Sequence, residues 1–255
     1  MAALIIAVCN HKGGVGKTTT TMNVGAGLAN AGKRVLLIDL DAQANLTDSM
    51  RIADTSTNIY GILSKRQQPA SVQITDKLSI IPATLNLAGA ETEFANEIGR
   101  EKMLAEAIEP IRDKYDYILI DTAPSLGLLA VNAFTAANEL LIPIQAEYLA
   151  LKGIAKLTEV YGSVKKRINP SLRIGGVIIT QYDGRTILHK QIRTAIEKQF
   201  GNLLYATPVR NTITIAEAEA QGADIFAYAP ESAGAKDYGE IVEEMLKRHK
   251  NTIIH

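Results

Sequence analysis

Several large protein classes are excluded by what this chain lacks. It has one cysteine, Cys9, in 255 residues, so no disulfide framework can form within it. Cys9 lies in an apolar run, where a small buried residue is the ordinary reading, and a reducing, intracellular compartment is expected. Net charge is absent too, with 27 basic against 27 acidic residues. That rules out a globally basic nucleic-acid binder and leaves room for a local basic patch. No apolar run reaches the ~18 residues of a membrane span, and no basic-then-apolar leader opens the sequence. Linkers, repeats and low-complexity tracts are missing as well. The expectation is one domain over 1–255, large enough to bury a core without disulfides.

What is present alternates. Residues 4–9, 35–41, 117–121 and 139–145 are apolar runs without polar alternation, the pattern of parallel strands covered on both faces. Shorter strands are expected at 78–82, 174–180 and 203–207. Helical spacing is found at 18–30, 84–114, 126–137, 151–167, 187–200, 214–221 and 232–249, with a short helical turn near 59–64. Residues 42–76 otherwise read as polar and irregular. Strands alternating with helices predict an α/β fold: a doubly wound, mostly parallel sheet with helices on both faces.

The stretch His11-Lys12-Gly13-Gly14-Val15-Gly16-Lys17-Thr18-Thr19 follows the first strand and opens the first long helix. Glycines permit a tight turn that aims backbone N–H groups inward, and the helix N-terminus adds partial positive charge. Lys17 is placed to reach β- and γ-phosphates, and the Thr18 hydroxyl to ligate Mg²⁺. A chance glycine-rich turn does not account for so many matched positions in a strand–loop–helix context. Asp121 closes another buried strand, where a carboxylate can hold the same metal ion. Asp39 and Asp41 end the second strand two residues apart, so both are expected on one side. One would serve the Mg²⁺ shell and the other an attacking water.

The loop departs from the plain P-loop spelling, carrying His11 where a glycine is usual and a second lysine, Lys12. It resembles the deviant Walker A box of the ParA/MinD family of ATPases. The segment Asp39-Leu40-Asp41-Ala42-Gln43 resembles that family's D-x-D-P-Q, with Ala42 and Ala44 where Pro and Gly are usual. Residues 143–153 resemble P-x-Q-x-E-x-x-A-L-x-G, and residues 181–186 the family's D-x-R-T turn. The resemblance, which runs from about residue 3 to residue 248, implies ATP and Mg²⁺ as cofactors. It implies phosphate contacts from Lys12, Gly13, Gly14, Val15, Gly16, Lys17, Thr18 and Thr19, with adenine contacts falling on Pro208 and Asn211. It gives the metal to Thr18, Asp121 and Asp39, and the catalytic roles to Lys12, Lys17 and Asp41. Lys12 would reach across a nucleotide-dependent homodimer to the partner's nucleotide.

Four readings compete. A nitrogenase-iron-protein type needs two exposed cysteines per chain. A MinD-type membrane-cycling ATPase needs a C-terminal amphipathic helix, whereas residues 243–255 are charged and end in a short Ile253-Ile254 pair. An inactive regulator would not be expected to keep Lys12, Lys17, Thr18, Asp41 and Asp121. The partition reading gains from residues 165–200, which hold eight Lys/Arg and two acids, a local +6. Arg185, Lys190 and Arg193 are the candidates for contacting DNA phosphates without reading bases. Thr214 stands where the family carries a further arginine. A ParB-like centromere-binding partner, no membrane contact and a cytoplasmic, nucleoid-associated location are the remaining expectations. With no helix-turn-helix ahead of the first strand, operator-specific repression is not expected. A MinD-like or protein-cargo-positioning ATPase is the alternative.

Overall fold

The computed structural model describes residues 3–147 and 150–252. Its strands are β1 (Leu4–Val8), β2 (Val35–Leu40), β3 (Val72–Gln73), β4 (Leu78–Ile81), β5 (Tyr117–Thr122), β6 (Glu139–Gln145) and β7 (Arg173–Thr180). They make one seven-stranded sheet in the order β3-β4-β2-β5-β1-β6-β7. Every pairing is parallel except that of β3, which runs antiparallel beside β4. The helices are α1 (Lys17–Asn30), α2 (Asn45–Ser49), α3 (Ile59–Leu63), α4 (Ala90–Glu93), α5 (Met103–Ile108) and α6 (Leu128–Ala136). They continue with α7 (Ala150–Arg167), α8 (Ile187–Phe200), α9 (Ile213–Gln221), α10 (Ile225–Tyr228) and α11 (Ala233–Thr252).

The missing polar alternation now has its cause. Along β1, Ile5, Ala7 and Cys9 enter a core with residues of α3, α5, α6 and α7, among them Ile59, Leu104, Phe134 and Ile154. Ile6 and Val8 point the other way and meet Met22 and Leu28 of α1 and Tyr238 and Ile241 of α11. Both faces are covered, so each strand position must be apolar. β1 lies between β5 and β6, and the chain leaves in opposite directions on its two sides. Such a switch point opens a crevice beyond the carboxyl ends of the strands, where ligands bind in open α/β sheets.

Three stretches differ from expectation. Residues 42–76 hold α2 and the edge strand β3 besides α3, which falls where a short helical turn was expected. The expected helix over 84–114 is broken into short α4 and α5 and four 3₁₀ turns, interrupted at Gly99, with φ of 75°, and at Pro110. The expected strand over 203–207 is a 3₁₀ turn and one isolated parallel bridge, Leu204 to Val177. Its backbone bonds β7 only at intervals, through the Tyr205 and Val209 N–H groups. Pro208 has no N–H to extend that ladder. Tyr148 and Leu149 of the 143–153 motif, and the Ile253-Ile254 pair, lie outside the described residues.

Helix α1 sits close on the sheet because Gly25 faces it. A Cβ there would fall 2.6 Å from Leu37 Cδ2 and 3.4 Å from Leu119 Cδ1. Gly25→Ala therefore sets a helix-propensity gain of about 1 kcal/mol against a tight contact. Gly25→Val adds two methyls with nowhere to go and is expected to cost about 1–3 kcal/mol in urea unfolding. An unchanged midpoint for Gly25→Val would mean that α1 is free to lift off the sheet.

Candidate functional site

The loop after β1 is shaped by β7. Thr180 Oγ1 donates to the Val15 carbonyl and Gln181 Nε2 to the Gly14 carbonyl, both at 2.8 Å. Gln145 Nε2, at the end of β6, donates to Gln181 Oε1 at 2.7 Å. Gln181 takes φ 51°, uncommon for a residue with a side chain, and these bonds hold it there. In a planar trans peptide the C=O and the following N–H point in opposite directions. Pinning two consecutive carbonyls against β7 therefore turns the N–H groups of Val15 and Gly16 away from it. Gly14 and Gly16 adopt φ of 72° and 81° to make this possible. The N–H groups of Gly16, Lys17, Thr18 and Thr19 have no acceptor among the described residues, as the first turn of a helix requires. A Cβ on Gly13 or Gly14 would meet nothing within 4 Å. The loop thus faces open space with donors and a helix N-terminus directed into it, an arrangement that fits a phosphate chain.

Charge is arranged around that space. Lys17 is 7% exposed, and its Nζ donates to the Lys12 carbonyl at 3.3 Å. Burial lowers its pKa, while the Asp121 and Asp41 carboxylates draw it back up. Thr18 Oγ1 donates to Asp121 Oδ2 at 2.7 Å, and Thr21 Oγ1 lies 3.4 Å from Asp121 Oδ1. Asp121 is wholly enclosed; burial first, and then the charge of Asp39, push its pKa up to about 8. Asp121 Oδ2 and the Thr18 hydroxyl are two hard oxygens side by side, suited to a divalent cation once the carboxyl is ionised. Asp41, 8% exposed, lines the same cavity, and its Oδ1 accepts from the Gln43 N–H at 2.9 Å.

That cavity, about 470 Å³, is bounded by Gly13, Gly14, Lys17, Thr18, Asp41 and Pro124 among others. A second, of about 290 Å³, is bounded by Arg210, Asn211, Ile215 and Tyr238. Gly16, Thr19, Gln181 and Glu219 line both, so the two make one continuous cleft. Asn211 is brought to it as expected; Pro208 is half-buried and is not on its wall.

Asp39 is placed differently from expectation. It is fully buried, and its Oδ2 accepts from both the N–H and the hydroxyl of Thr47, at 2.9 and 2.7 Å. Its Oδ1 accepts from the Asp41 N–H at 3.2 Å. Both oxygens are thus committed to the loop that presents Asp41, so Asp39 orients that loop and does not join the metal pair. Lys12 directly precedes the glycines that bound the cavity and is about half exposed, with its Nζ ion-paired to Glu147.

The basic stretch is not one strip. Lys165, Lys166 and Arg167 end α7, and Arg173 opens β7, where it pairs with buried Glu139; all four lie at the amino ends of the strands. Arg185, Lys190 and Arg193 belong to the opposite end and to α8. Arg185 is 91% exposed and held by both carboxylate oxygens of Asp183 at 2.9 Å. Arg193 donates to the Ala206 carbonyl at 2.8 Å and covers the Tyr182 ring. His189 turns inward, accepting from the Asp183 N–H at 2.9 Å, so it is not part of the basic face. Sequence reasoning missed Thr180, Gln181, Arg210, Glu219 and Tyr238. Gln145 and Gln181 lie in the matched motifs at 143–153 and 181–186, whereas nothing in the local pattern singled out Thr180 or Tyr238.

Comparisons with known proteins show what the chain is similar to. An AAA domain family model matches residues 3–174. The sporulation initiation inhibitor protein Soj of Bacillus subtilis is 43% identical over 246 residues, spanning 94% of this chain and 97% of Soj. The chromosome-partitioning ATPase Soj of Thermus thermophilus is 41% identical over 244 residues, 95% of each chain. Among solved structures, cobyrinic acid a,c-diamide synthase from Mycobacterium smegmatis, with bound ATP analog and magnesium, has a TM-score of 0.85 at 32% identity. The match covers 97% of this chain and 96% of that one.

The Asp121 environment makes a pH prediction for the metal-free protein. Its folded pKa of about 8 lies far above the ordinary value of an aspartate, about 4. The folded state therefore holds a proton that the unfolded state has released, and stability falls as pH rises through that window. Thermal unfolding in chelator should show this decline. Asp121→Asn should flatten it, melting higher than the parent near pH 8 while losing stabilisation by Mg²⁺ and nucleotide. An equal pH slope in the two proteins would show that Asp121 does not carry that proton.

Proposed function

This chain belongs to the ParA/Soj family of P-loop partition ATPases, and from that premise we propose how its cleft works and what it acts upon. ATP occupies the cleft with its phosphates in the cradle of residues 12–19 and its base toward Asn211. The bound ATP analog and magnesium of the M. smegmatis structure support this reading. Thr18 and Asp121 would hold Mg²⁺, which would supply charge neutralisation on the phosphates. Lys17 faces the β- and γ-phosphates from a buried position, where its charge is little screened. Asp41 lies on the wall of the same cavity, with Oδ1 fixed by Gln43 and its loop fixed by Asp39. It is the carboxylate free to orient a water toward the terminal phosphate.

The dimer reading is carried by Lys12. Lys17 already serves the phosphates of its own chain, and Lys12 directly precedes the glycines that bound the cavity and is about half exposed. We assign Lys12 to the phosphates of a second copy, so that ATP joins two subunits face to face. Its pair with Glu147 is about half exposed, and such pairs are worth ~0–1 kcal/mol, so exchanging Glu147 for a phosphate costs little. The ATP-bound dimer then binds DNA non-specifically through Arg185, Lys190 and Arg193. A ParB-like partner bound to a centromere site stimulates slow hydrolysis, which releases the dimer and moves cargo DNA. The setting is cytoplasmic, with the ATP form on the nucleoid. No helix among the described residues is long and apolar enough to cross a membrane.

Two sets of measurements test this. Lys17→Ala should abolish ATP binding. Lys12→Ala should bind ATP but stay monomeric and inactive. Asp41→Ala should bind and dimerise without turnover. Light scattering with ATP would refute the dimer if the parent remains monomeric at high concentration, and parent-level hydrolysis by Asp41→Ala would remove its assigned role.

For DNA, three cations per subunit make six per dimer, so log K against log salt should have a slope of about −5 at most. Arg185→Glu with Arg193→Glu should remove DNA binding while partner-free ATP hydrolysis stays near the parent level. Anisotropy titrations with and without a non-hydrolysable ATP analogue read both effects. Equal DNA affinity in the two nucleotide states, or tight binding to anionic lipid vesicles instead, would favour the membrane-cycling or protein-positioning alternative.

A further inference from the structure

Glu219 has no part in the scheme above, yet it lies at the centre of the cleft. It is on α9 and lines both the phosphate cavity and the second cavity. Its Oε1 is shielded from solvent and has no hydrogen-bond partner among the described residues. A buried carboxylate oxygen without a donor is unfavourable and needs a reason. Burial raises the Glu219 pKa, and the Thr19 hydroxyl beside it pulls the other way. Rotation about the last torsion of a glutamate is soft and nearly two-fold. Turning Oε1 toward the cavity is therefore easy once a donor is there.

The position selects the donor. Among the described residues four border both cavities, and Glu219 is one of them. A nucleotide spanning the cleft puts its phosphates, which offer acceptors only, against the loop at residues 13–19. It puts its base in the second cavity, toward Asn211. The sugar must cross between the two, and its hydroxyls are the only hydrogen-bond donors carried there. We propose that Glu219 is a specificity-determining residue that accepts a hydrogen bond from a ribose hydroxyl, so that the protein selects ribonucleotides over deoxyribonucleotides. The proposal rests on the nucleotide-binding reading and adds to it a residue and a selectivity.

The test uses the full chain with Mg²⁺ and three ligands: ADP, 2′-deoxy-ADP and 3′-deoxy-ADP, titrated by calorimetry. Losing a donor to a buried carboxylate should weaken at least one deoxy ligand by about tenfold or more. Glu219→Ala should bind ADP and that deoxy ligand within about twofold of each other. Its nucleotide-free melting temperature should be equal to or above the parent's, because the unpartnered oxygen is gone; a purely structural glutamate would lower it. Parent affinities within about twofold for all three ligands would overturn the ribose contact while leaving nucleotide binding intact. Full discrimination retained by Glu219→Ala would overturn the assignment to this residue. Failure of the parent to bind any of the three would overturn the nucleotide reading, and this one with it.

Discussion

The site depends on two hydrogen bonds donated to the glycine-rich loop from a distant strand end. Thr180 and Gln181, at the carboxyl end of β7, hold the Val15 and Gly14 carbonyls. A glycine-rich loop has many conformations open to it, and only some direct its amides at a ligand. Fixing consecutive carbonyls from one side selects that set before any ligand arrives. The cost is visible at Gln181, which is held at φ 51°. Strain of this kind persists where the surroundings over-determine it, and it collects at functional sites. The sheet order explains why β7 can reach the loop: β1 and β7 flank β6 on opposite sides, so the loop leaving β1 crosses above β6.

The same logic runs through the acids. Asp39, Asp41 and Asp121 all end strands at the carboxyl edge, and Asp39 and Asp121 are register partners on adjacent strands. Three carboxylates this close repel one another, and burial raises the pKa values of Asp39 and Asp121, to about 6 and about 8. The fold relieves the first by giving Asp39 the Thr47 N–H and hydroxyl. For the second it supplies only threonine hydroxyls and the partly distant Lys17. The incomplete relief makes Asp121 suited to a cation, since a metal ion completes what the protein leaves unsatisfied.

Much of this was legible in the chain. The apolar runs at 4–9, 35–41, 117–121 and 139–145 located the central strands, because covering both faces forbids polar positions. The loop at 11–19 located the site, because tight turns and phosphate contact require those residue types at that spacing. The Asp39 and Asp41 roles could not be separated, since strand alternation puts both on one side and only the tertiary partner Thr47 tells them apart. The segment at 203–207 read as a strand because its apolar residues lie along β7, while the missing N–H of Pro208 mattered only once pairing was considered. Thr180, Gln181 and Glu219 act through contacts 36 to 167 residues away or through an unfilled lone pair, and no local pattern encodes such contacts.

The cations divide into two kinds by the burial of their partners. Arg173 and Arg210 pair with Glu139 and Asp237, which are 4% and 5% exposed at the side chain. Breaking either pair would strand a buried carboxylate, so these arginines are fixed parts of the fold. Lys12 and Arg185 pair with Glu147 and Asp183, which keep 44% and 29% exposure. Water can serve those acids when the cation leaves, so the pairs are exchangeable. A phosphate with more charge, presented by a nucleotide or by DNA, competes well for the exchangeable kind and poorly for the fixed kind. Counting charge along the chain gives every cation in 165–200 equal standing. Within 165–200 burial sets Arg173 apart as a fixed cation, whereas Arg185 keeps an exchangeable partner, as Lys12 does outside that stretch.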